Sequence, residues 1–367
     1  MAGVDHLNSV ISKPESAAAN FKRALITGIS GQDGALLAAH LLKSGVSVVG
    51  TRRAGNESAS GKRALWRLAE LGISEHPQLR LCELDLDDVD ACRHLVVDVQ
   101  PDAVFHLAGQ SRVAESFRDP LASVETNGLG TLHLLEAVRA GAATAHFVLA
   151  ASAEIFGTPA QSPQDERTPL APVSPYGLSK LVAHVGVQSW RASFDLRASS
   201  AILFNHESEL RDDVFVTRKI SRAAARIKLG RESVVTLGNL DARRDFGYAP
   251  EYVEALAMMA TRARGDDYVL ATGRAASVRY FATAAFAAAG IKLDWIGKGV
   301  DETGVERGSG TTRVRVDAAF FRPLDAPVLV GNAAKAKADF GFSPTVDLTE
   351  LTRRMVAADV AREQRSS

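Results

Sequence analysis

The sequence predicts a doubly wound α/β fold, in which helices cover both faces of a parallel sheet, followed by a smaller C-terminal α/β lobe. Three observations predict it. Short apolar runs alternate with stretches of helical spacing, the first run ends in a glycine-rich turn, and beyond about Phe204 the alternation loosens. The first run, Arg23-Ala-Leu-Ile-Thr27, is followed by glycines and then by Ala35 to Ser44 with leucines at helical spacing, which reads as strand, tight turn, helix. Val46 to Gly50, Leu79 to Cys82, Ala103 to Leu107 and Ala145 to Ala150 read as the next strands, with helices over Asp87 to Val99 and Gly130 to Arg139 between them. After Phe204, the charged stretches Glu207 to Asp213 and Asn239 to Asp245 read as loops, and Val253 to Arg264 and Ala282 to Gly290 as alanine-rich helices. Gly297 to Gly310 reads as an exposed loop. Asp347 to Gln364, with Leu348, Leu351, Met355 and Val360 on one side, reads as a packed amphipathic helix. The expected division is a flexible tail over 1–21, a sheet domain over 22–204 to which some later strands return, and a second lobe over most of 205–367.

The composition is that of a globular protein, 46% hydrophobic and 23% charged, with 43 basic against 43 acidic residues. No excess positive field exists to attract nucleic acid or an anionic membrane, so a phosphate-bearing ligand must be held by local basic groups. The two cysteines, Cys82 and Cys92, form no disulfide framework or metal-ligand spacing, which fits a reducing cytoplasm and no bound metal. No segment has the apolar length to span a membrane, and the first residues have no signal-peptide pattern.

Two motifs carry chemistry. Gly28-Ile29-Ser30-Gly31-Gln32-Asp33-Gly34 follows the first strand and opens the first helix, where glycines let the backbone approach a pyrophosphate and the helix N-terminus offers N–H groups. That context is a dinucleotide site in a Rossmann sheet. After the second strand an NAD enzyme places an acidic residue on the ribose hydroxyl, whereas Thr51-Arg52-Arg53 stands here, so two guanidiniums point to a 2′-phosphate and NADP. Tyr176-Gly-Leu-Ser-Lys180 puts a phenol and an ammonium on one helical face, where the cation stabilises a phenolate base. Ser152 and Glu154 add a hydroxyl and a carboxylate just after the fifth strand, at the end where open α/β sheets bind ligands.

The Ser, Tyr and Lys set with the glycine turn resembles the extended short-chain dehydrogenase/reductases. Longer segments resemble the GDP-mannose 4,6-dehydratases: Ala24 to Gly34, Ser174-Pro-Tyr-Gly177, Ile202-Leu-Phe-Asn-His-Glu-Ser208, Phe215 to Ile220, Leu237-Gly-Asn-Leu-Asp-Ala-Arg-Arg-Asp245 and Ala271-Thr-Gly273. The resemblance implies that Ser152, Glu154, Tyr176 and Lys180 are catalytic, with Ser152 where the family usually has threonine. It implies NADP contacts at Gly28, Ser30, Gln32, Asp33, Arg52, Arg53, Asp85, Leu86, Lys180, His206 and Arg211, and in the loop Leu107-Ala108-Gly109-Gln110-Ser111. In that loop the Ala and Gly stand in the reverse of the commoner order, and Ala122 replaces an expected tyrosine. For the sugar nucleotide it implies Asn205, Lys219 and Arg244, with Arg322 and Asp325 near the diphosphate and ribose.

The implied activity is loss of water from a GDP-linked mannose-like sugar to give its 4-keto-6-deoxy derivative in deoxysugar biosynthesis. Glu154 separates this reading from an epimerase or 4-ketosugar reductase, which need no acid-base group at C5 and C6. A GDP-manno-heptose substrate and a non-catalytic NADP-binding protein are the other readings. Relatives pair as dimers or tetramers, so a homo-oligomer is expected, although the tetramer segment after Arg53, Ala54 to Lys62, is altered.

Overall fold

The computed structural model describes residues 20–53, 65–320 and 328–365. The chain forms β1 (Arg23–Thr27), β2 (Ser47–Arg52), β3 (Leu79–Glu83), β4 (Ala103–His106), β5 (His146–Ala150) and β6 (Ala198–Leu203) in succession. It continues through β7 (Asn205–Glu207), β8 (Val235–Leu237) and β9 (Arg243–Tyr248) before β10 (Asp267–Leu270). β11 (Ala275–Ser277), β12 (Leu293–Ile296), β13 (Thr303–Glu306) and β14 (Thr312–Val316) complete the series.

Contacts divide the chain into two compact units. The first, residues 1–204, 249–270 and 331–343, holds a seven-stranded sheet in the order β10-β6-β5-β4-β1-β2-β3, with every pairing parallel. Parallel strands need crossovers, which the helices Gln32–Lys43, Val89–Val99, Gly130–Gly141 and Pro175–Phe194 help to supply. Strand order reverses between β1 and β4, and a ligand crevice opens at the carboxyl ends of the strands at such a point. The strands β1, β4, β5 and β6 are buried almost throughout, and their apolar runs pack with Leu134, Leu135, Val138, Ala183 and Val187 from the flanking helices. Gly50 in β2 is a close-approach site: a Cβ there would lie 2.1 Å from Ile29 Cδ1, so only glycine lets the first turn lie on the strand.

The second unit, residues 205–248, 271–330 and 344–367, contains a three-stranded sheet β11-β9-β7 and a four-stranded sheet β12-β13-β14-β8. Here the structure corrects two sequence expectations and bears out a third. The charged stretches expected as loops contribute to β7 and β9, because Asp245 accepts main-chain N–H groups of Thr272 and Gly273, both 2.9 Å away, and is buried despite its charge. The Gly297 to Gly310 stretch contains β13, which pairs with β12 and β14. The C-terminal helix, Leu348–Arg365, buries Leu351, Met355 and Val356 but also the charged Asp359. Among the described residues no helix is long and apolar enough to cross a membrane, and no group of three or more His, Cys, Asp or Glu could hold a metal ion.

Asp359 is the centre of this unit's polar core. Its carboxylate pairs with Arg218 at 2.9 Å and Arg362 at 3.3 Å and accepts from Ser221 Oγ at 2.7 Å. Burial raises the Asp359 pKa and lowers that of Arg218, so each charge is costly without the other. Replacing Asp359 by Ala leaves the buried Arg218 guanidinium with only the more exposed Asp213 carboxylate, 3.7 Å away, and the expected loss is about 3–5 kcal/mol of unfolding free energy in a denaturant titration. A loss under about 1 kcal/mol would show that the cluster is not a stability determinant.

Candidate active site

The groove at the carboxyl end of the first unit's sheet starts from the glycine turn. Gly28 takes φ +75°, and a Cβ on it would stand 2.7 Å from both Cα and N of Ala108. The turn and the 107–111 loop therefore touch through backbone alone. The N–H groups of Gly28 and Ile29 both donate to the Thr51 carbonyl at 3.1 Å, tying the turn to the end of β2. Gly31 starts the helix Gln32–Lys43 in extended conformation with no side-chain cap, an arrangement suited to a pyrophosphate at that end. Ile29 is fully buried with its N–H held by the Thr51 carbonyl, and Gly34 is buried against Gly28, so these two shape the turn from behind and do not line the groove.

A cavity of about 440 Å³ is lined by Gly28, Ser30, Arg52, Arg53, Asp85, Leu86, Ala108, Gly109 and Gln110, all expected from the sequence. It is also lined by Thr51, Leu84, Glu115, Asp119, Ser123 and Thr126, which were not, and by Ala122, at the position where the resemblance places a tyrosine. Arg52 is held by Glu83 of the neighbouring strand at 3.1 Å, whereas the Arg53 side chain is exposed. The residues present thus fit a dinucleotide: a glycine turn without side chains, an uncapped helix start and two guanidiniums beyond β2.

The loop 107–111 is held by a residue that sequence reasoning missed. Asn127 accepts from Gln110 N at 2.8 Å and donates to Gln110 O at 2.9 Å and to Ser179 Oγ at 3.0 Å. Ser179 Oγ in turn donates to the carbonyl of Tyr176 at 2.7 Å. Asn127 lies in a π-helical turn, Glu125–Leu129, between the helices Pro120–Val124 and Gly130–Gly141. The available signal was an Asn-Gly pair inside a helix-like stretch.

Beyond β5, Ser152 caps the short helix Ala153–Phe156, its Oγ accepting from Glu154 N at 3.3 Å and keeping its own proton to donate. The turn closes at Gly157, φ +61°, where a Cβ would stand 1.8 Å from the Ala171 carbonyl oxygen. The helix Pro175–Phe194 begins with Ser174 Oγ capping Gly177 N at 3.0 Å. A Cβ on Gly177 would meet the Glu154 carbonyl oxygen at 2.7 Å, so glycine beside Tyr176 lets the two turns abut. Tyr176 is buried, with its N–H donating to Ser116 Oγ at 3.1 Å. One turn on, Lys180 is buried and donates from Nζ to the Ala150 carbonyl at 2.8 Å. Burial lowers its pKa to about 8, and Asp33 opposes the shift, so the ammonium form predominates at neutral pH.

The second unit holds the other expected residues. His206 is buried in β7 and Asn205 is exposed beside it. Arg211 is ion-paired with Glu207 at 3.0 Å and stacks over Phe215 at 3.6 Å. Glu207 also accepts from Thr217 Oγ1 at 2.6 Å, so the Asn-His-Glu-Ser stretch is fixed from two sides. Lys219 lies 4.0 Å over the Phe320 ring, and burial lowers its pKa. Arg244 Nη1 donates to the Arg243 carbonyl at 2.7 Å. Arg322 and Asp325 lie outside the described residues.

Comparison with known proteins decides the family. The profile described as GDP-mannose 4,6 dehydratase matches residues 25–355. The chain belongs to that family. A GDP-mannose 4,6-dehydratase of Sinorhizobium fredii (strain HH103) is 40% identical over 342 residues, covering 93% of this chain and 97% of its own. The GDP-mannose 4,6-dehydratase sdnI of Sordaria araneosa is 42% identical over 341 residues, which are 92% of this chain and 61% of that longer protein. Among solved structures, the UDP-glucose 4-epimerase of Thermus thermophilus in complex with NAD is similar with a TM-score of 0.74 at 26% identity, covering 92% of this chain and 98% of that one.

Two of the departures from the GDP-mannose 4,6-dehydratase pattern, the Ala108-Gly109 order and Ala122, have structural settings in the groove. Gly109 takes φ +154°, and a Cβ there would lie 2.5 Å from Asn127 Oδ1, so in this chain the second position of the Ala108-Gly109 pair requires glycine. Ala122 lines the groove with Asp119 and Ser123. The contact between Gly28 and Ala108 gives a direct test. Gly28→Ala adds both a positive-φ strain and a backbone clash, and should weaken pyridine-nucleotide binding at least tenfold by calorimetry. Unchanged affinity would show that the glycine turn is not part of the cofactor site.

Proposed function

We propose that this protein removes water from a GDP-linked mannose-like sugar, using NADP, to give the 4-keto-6-deoxy sugar nucleotide. The observation that carries the reading is the meeting of the Ser152–Glu154 turn with the start of the Tyr176 helix at Gly177, one helical turn before a buried Lys180. NADP, when bound, supplies the chemistry of accepting hydride from C4 and returning it to C6. Tyr176 takes the proton from the 4-hydroxyl, and the Lys180 ammonium stabilises its phenolate. Ser152 donates a hydrogen bond to the oxygen at C4, where charge is lost and regained. Once C4 is a ketone the C5 proton is acidic; Glu154 removes it and then, as the acid, protonates the departing 6-hydroxyl. C5 is reprotonated as C6 is reduced, a proton that balances the one Tyr176 took from the 4-hydroxyl, so no cofactor is consumed.

NADP is favoured over NAD by Arg52 and Arg53, which line the groove just beyond β2. The pairing of Arg52 with Glu83 gives the more exposed Arg53 the larger part in phosphate recognition. On the substrate side, Asn205, Lys219 and Arg244 from the second unit are proposed to hold the sugar nucleotide, and His206 and Arg211 to act toward the cofactor.

Two outcomes test this reading. Glu154→Gln should lower formation of the alkali-absorbing ketosugar from GDP-mannose by a factor of about 1,000 while NADP still binds; retained dehydration would refute the assignment. Arg53→Ser should weaken NADP about 10–100-fold and leave NAD affinity within about twofold, measured by fluorescence titration, and an equal effect on both would overturn the phosphate role.

A further inference from the structure

The 107–111 loop is fixed at two points. Gln110 is held by the Asn127 side chain, while Ala108 N donates to Thr27 Oγ1 at 3.2 Å. Between these two points runs a buried chain that the proposed reaction does not use. Thr27 Oγ1 lies 2.7 Å from His106 Nδ1, and His106 Nε2 lies 3.0 Å from Thr131 Oγ1. Thr131 Oγ1 is 2.6 Å from the carbonyl of Asn127. Thr27, His106, Asn127 and Thr131 are all at most 1% exposed, so water cannot replace any of these bonds.

The ends of the chain determine every proton in it. A carbonyl only accepts, so the Thr131 hydroxyl proton points to Asn127 O, and its oxygen must accept from His106 Nε2–H. An Nε2 lone pair facing Thr131 Oγ1 at 3.0 Å would be repulsive. At the other end Thr27 Oγ1 accepts from Ala108 N–H, and because the buried ring is neutral with its proton on Nε2, Nδ1 is a lone pair to which the Thr27 hydroxyl turns its own proton. The result is one directed ring: Ala108 N–H to Thr27, Thr27 to His106, His106 to Thr131, Thr131 to the Asn127 backbone, and the Asn127 side chain back to Gln110. Imidazole is the spacer that carries a donor and an acceptor on opposite sides at once.

We propose that His106, as the neutral Nε2–H tautomer, is a positioning residue that clamps the 107–111 loop to the π-turn, and through Asn127 and Ser179 to the helix carrying Tyr176 and Lys180. A threonine bonded to the carbonyl four residues back is ordinary helix chemistry. What is particular here is that the same threonine takes the histidine proton and that the carbonyl belongs to the residue whose side chain holds both the loop and Ser179. A Cβ on Gly109, between the two clamped residues, would stand 3.8 Å from Lys180 Nζ, so the loop backbone lies close beside the ammonium. Burial, reinforced by the nearby Lys180 charge, lowers the His106 pKa to about 3, in keeping with a ring that never charges in use.

The functional half of this proposal rests on Tyr176 and Lys180 being the reacting pair; the tautomer does not. Ring-¹⁵N histidine spectra of the wild-type protein, with His106 assigned by the resonance that moves in Thr131→Val, should show protonated Nε2 and unprotonated Nδ1 from pH 5 to 9. An Nδ1–H tautomer, or protonation of both nitrogens in that range, would overturn the ring. In turnover of GDP-mannose, Thr131→Val should lower kcat about tenfold with KM within about twofold and Tm nearly unchanged, and Thr131→Ser, which keeps the hydroxyl, should restore it. A Thr131→Val enzyme with wild-type kcat, or one whose loss tracks its loss of folded protein, would reduce His106 to a packing residue. Absence of dehydration in the wild-type protein would defeat the proposed function instead, while the spectra would still decide the ring.

Discussion

The Lys180 ammonium sits out of water, 2.8 Å from the Ala150 carbonyl at the end of β5, and the surrounding elements are arranged around the cost of keeping a charge there. A parallel strand ends with unpaired carbonyls, and one of them supplies the oxygen that the cation needs. The helix Pro175–Phe194 must then start close enough to β5 for the lysine to reach back, and the glycines at 157 and 177 remove the side chains that would hold it away. Burial leaves the cation easier to deprotonate than an exposed lysine, and Asp33 at the first helix restores part of the difference. The glycine turn and the helix carrying Tyr176 and Lys180 are therefore coupled electrostatically as well as through the sheet.

Much of this was legible because local rules and global fold agree. Alternating apolar strands, the glycine turn and the Tyr-Lys spacing each have a single geometric reading, and β1 occupies the residues its apolar run marks. The turn after β5 that carries Ser152 and Glu154 is where the apolar run ends, and the structure adds that Ser152 caps the short helix there. Asn127 and His106 were not. His106 is the one polar residue of an apolar strand and Asn127 stands in a mixed Glu-Thr-Asn-Gly-Leu turn, and what matters about both is partners far away in sequence: His106 bonds Thr27 and Asn127 bonds Ser179. Composition cannot signal such pairs. Strands β7 and β9 were hidden for a related reason, since their charged residues find partners within the second unit and so tolerate burial.

The second unit solves a different problem with similar means. Its C-terminal helix buries Asp359 and Glu363 against arginines of the helix Val216–Lys228, so two charged surfaces meet where an apolar seam would be usual. Such a seam contributes less than hydrophobic packing of equal area but tolerates few alternative registers. The same unit fixes Glu207 and Asp245 by hydrogen bonds to neighbouring chain, which holds the adjoining His206 and Arg244 in place without a large core.

The π-turn Glu125–Leu129 gives the helical segment 120–141 one residue more than an uninterrupted α-helix would need over the same rise. Loss of any one residue from it would let the segment close into regular α-helix and turn everything on its N-terminal side by about 100° relative to Gly130–Gly141. Asp119, Ala122 and Ser123 would rotate away from the groove they line, while the apolar face of Gly130–Gly141 kept its seat on the sheet. Chain length in this short stretch is thus constrained as tightly as the identity of Asn127: a substitution at Thr126 changes the wall of the groove, whereas a deletion moves the wall itself.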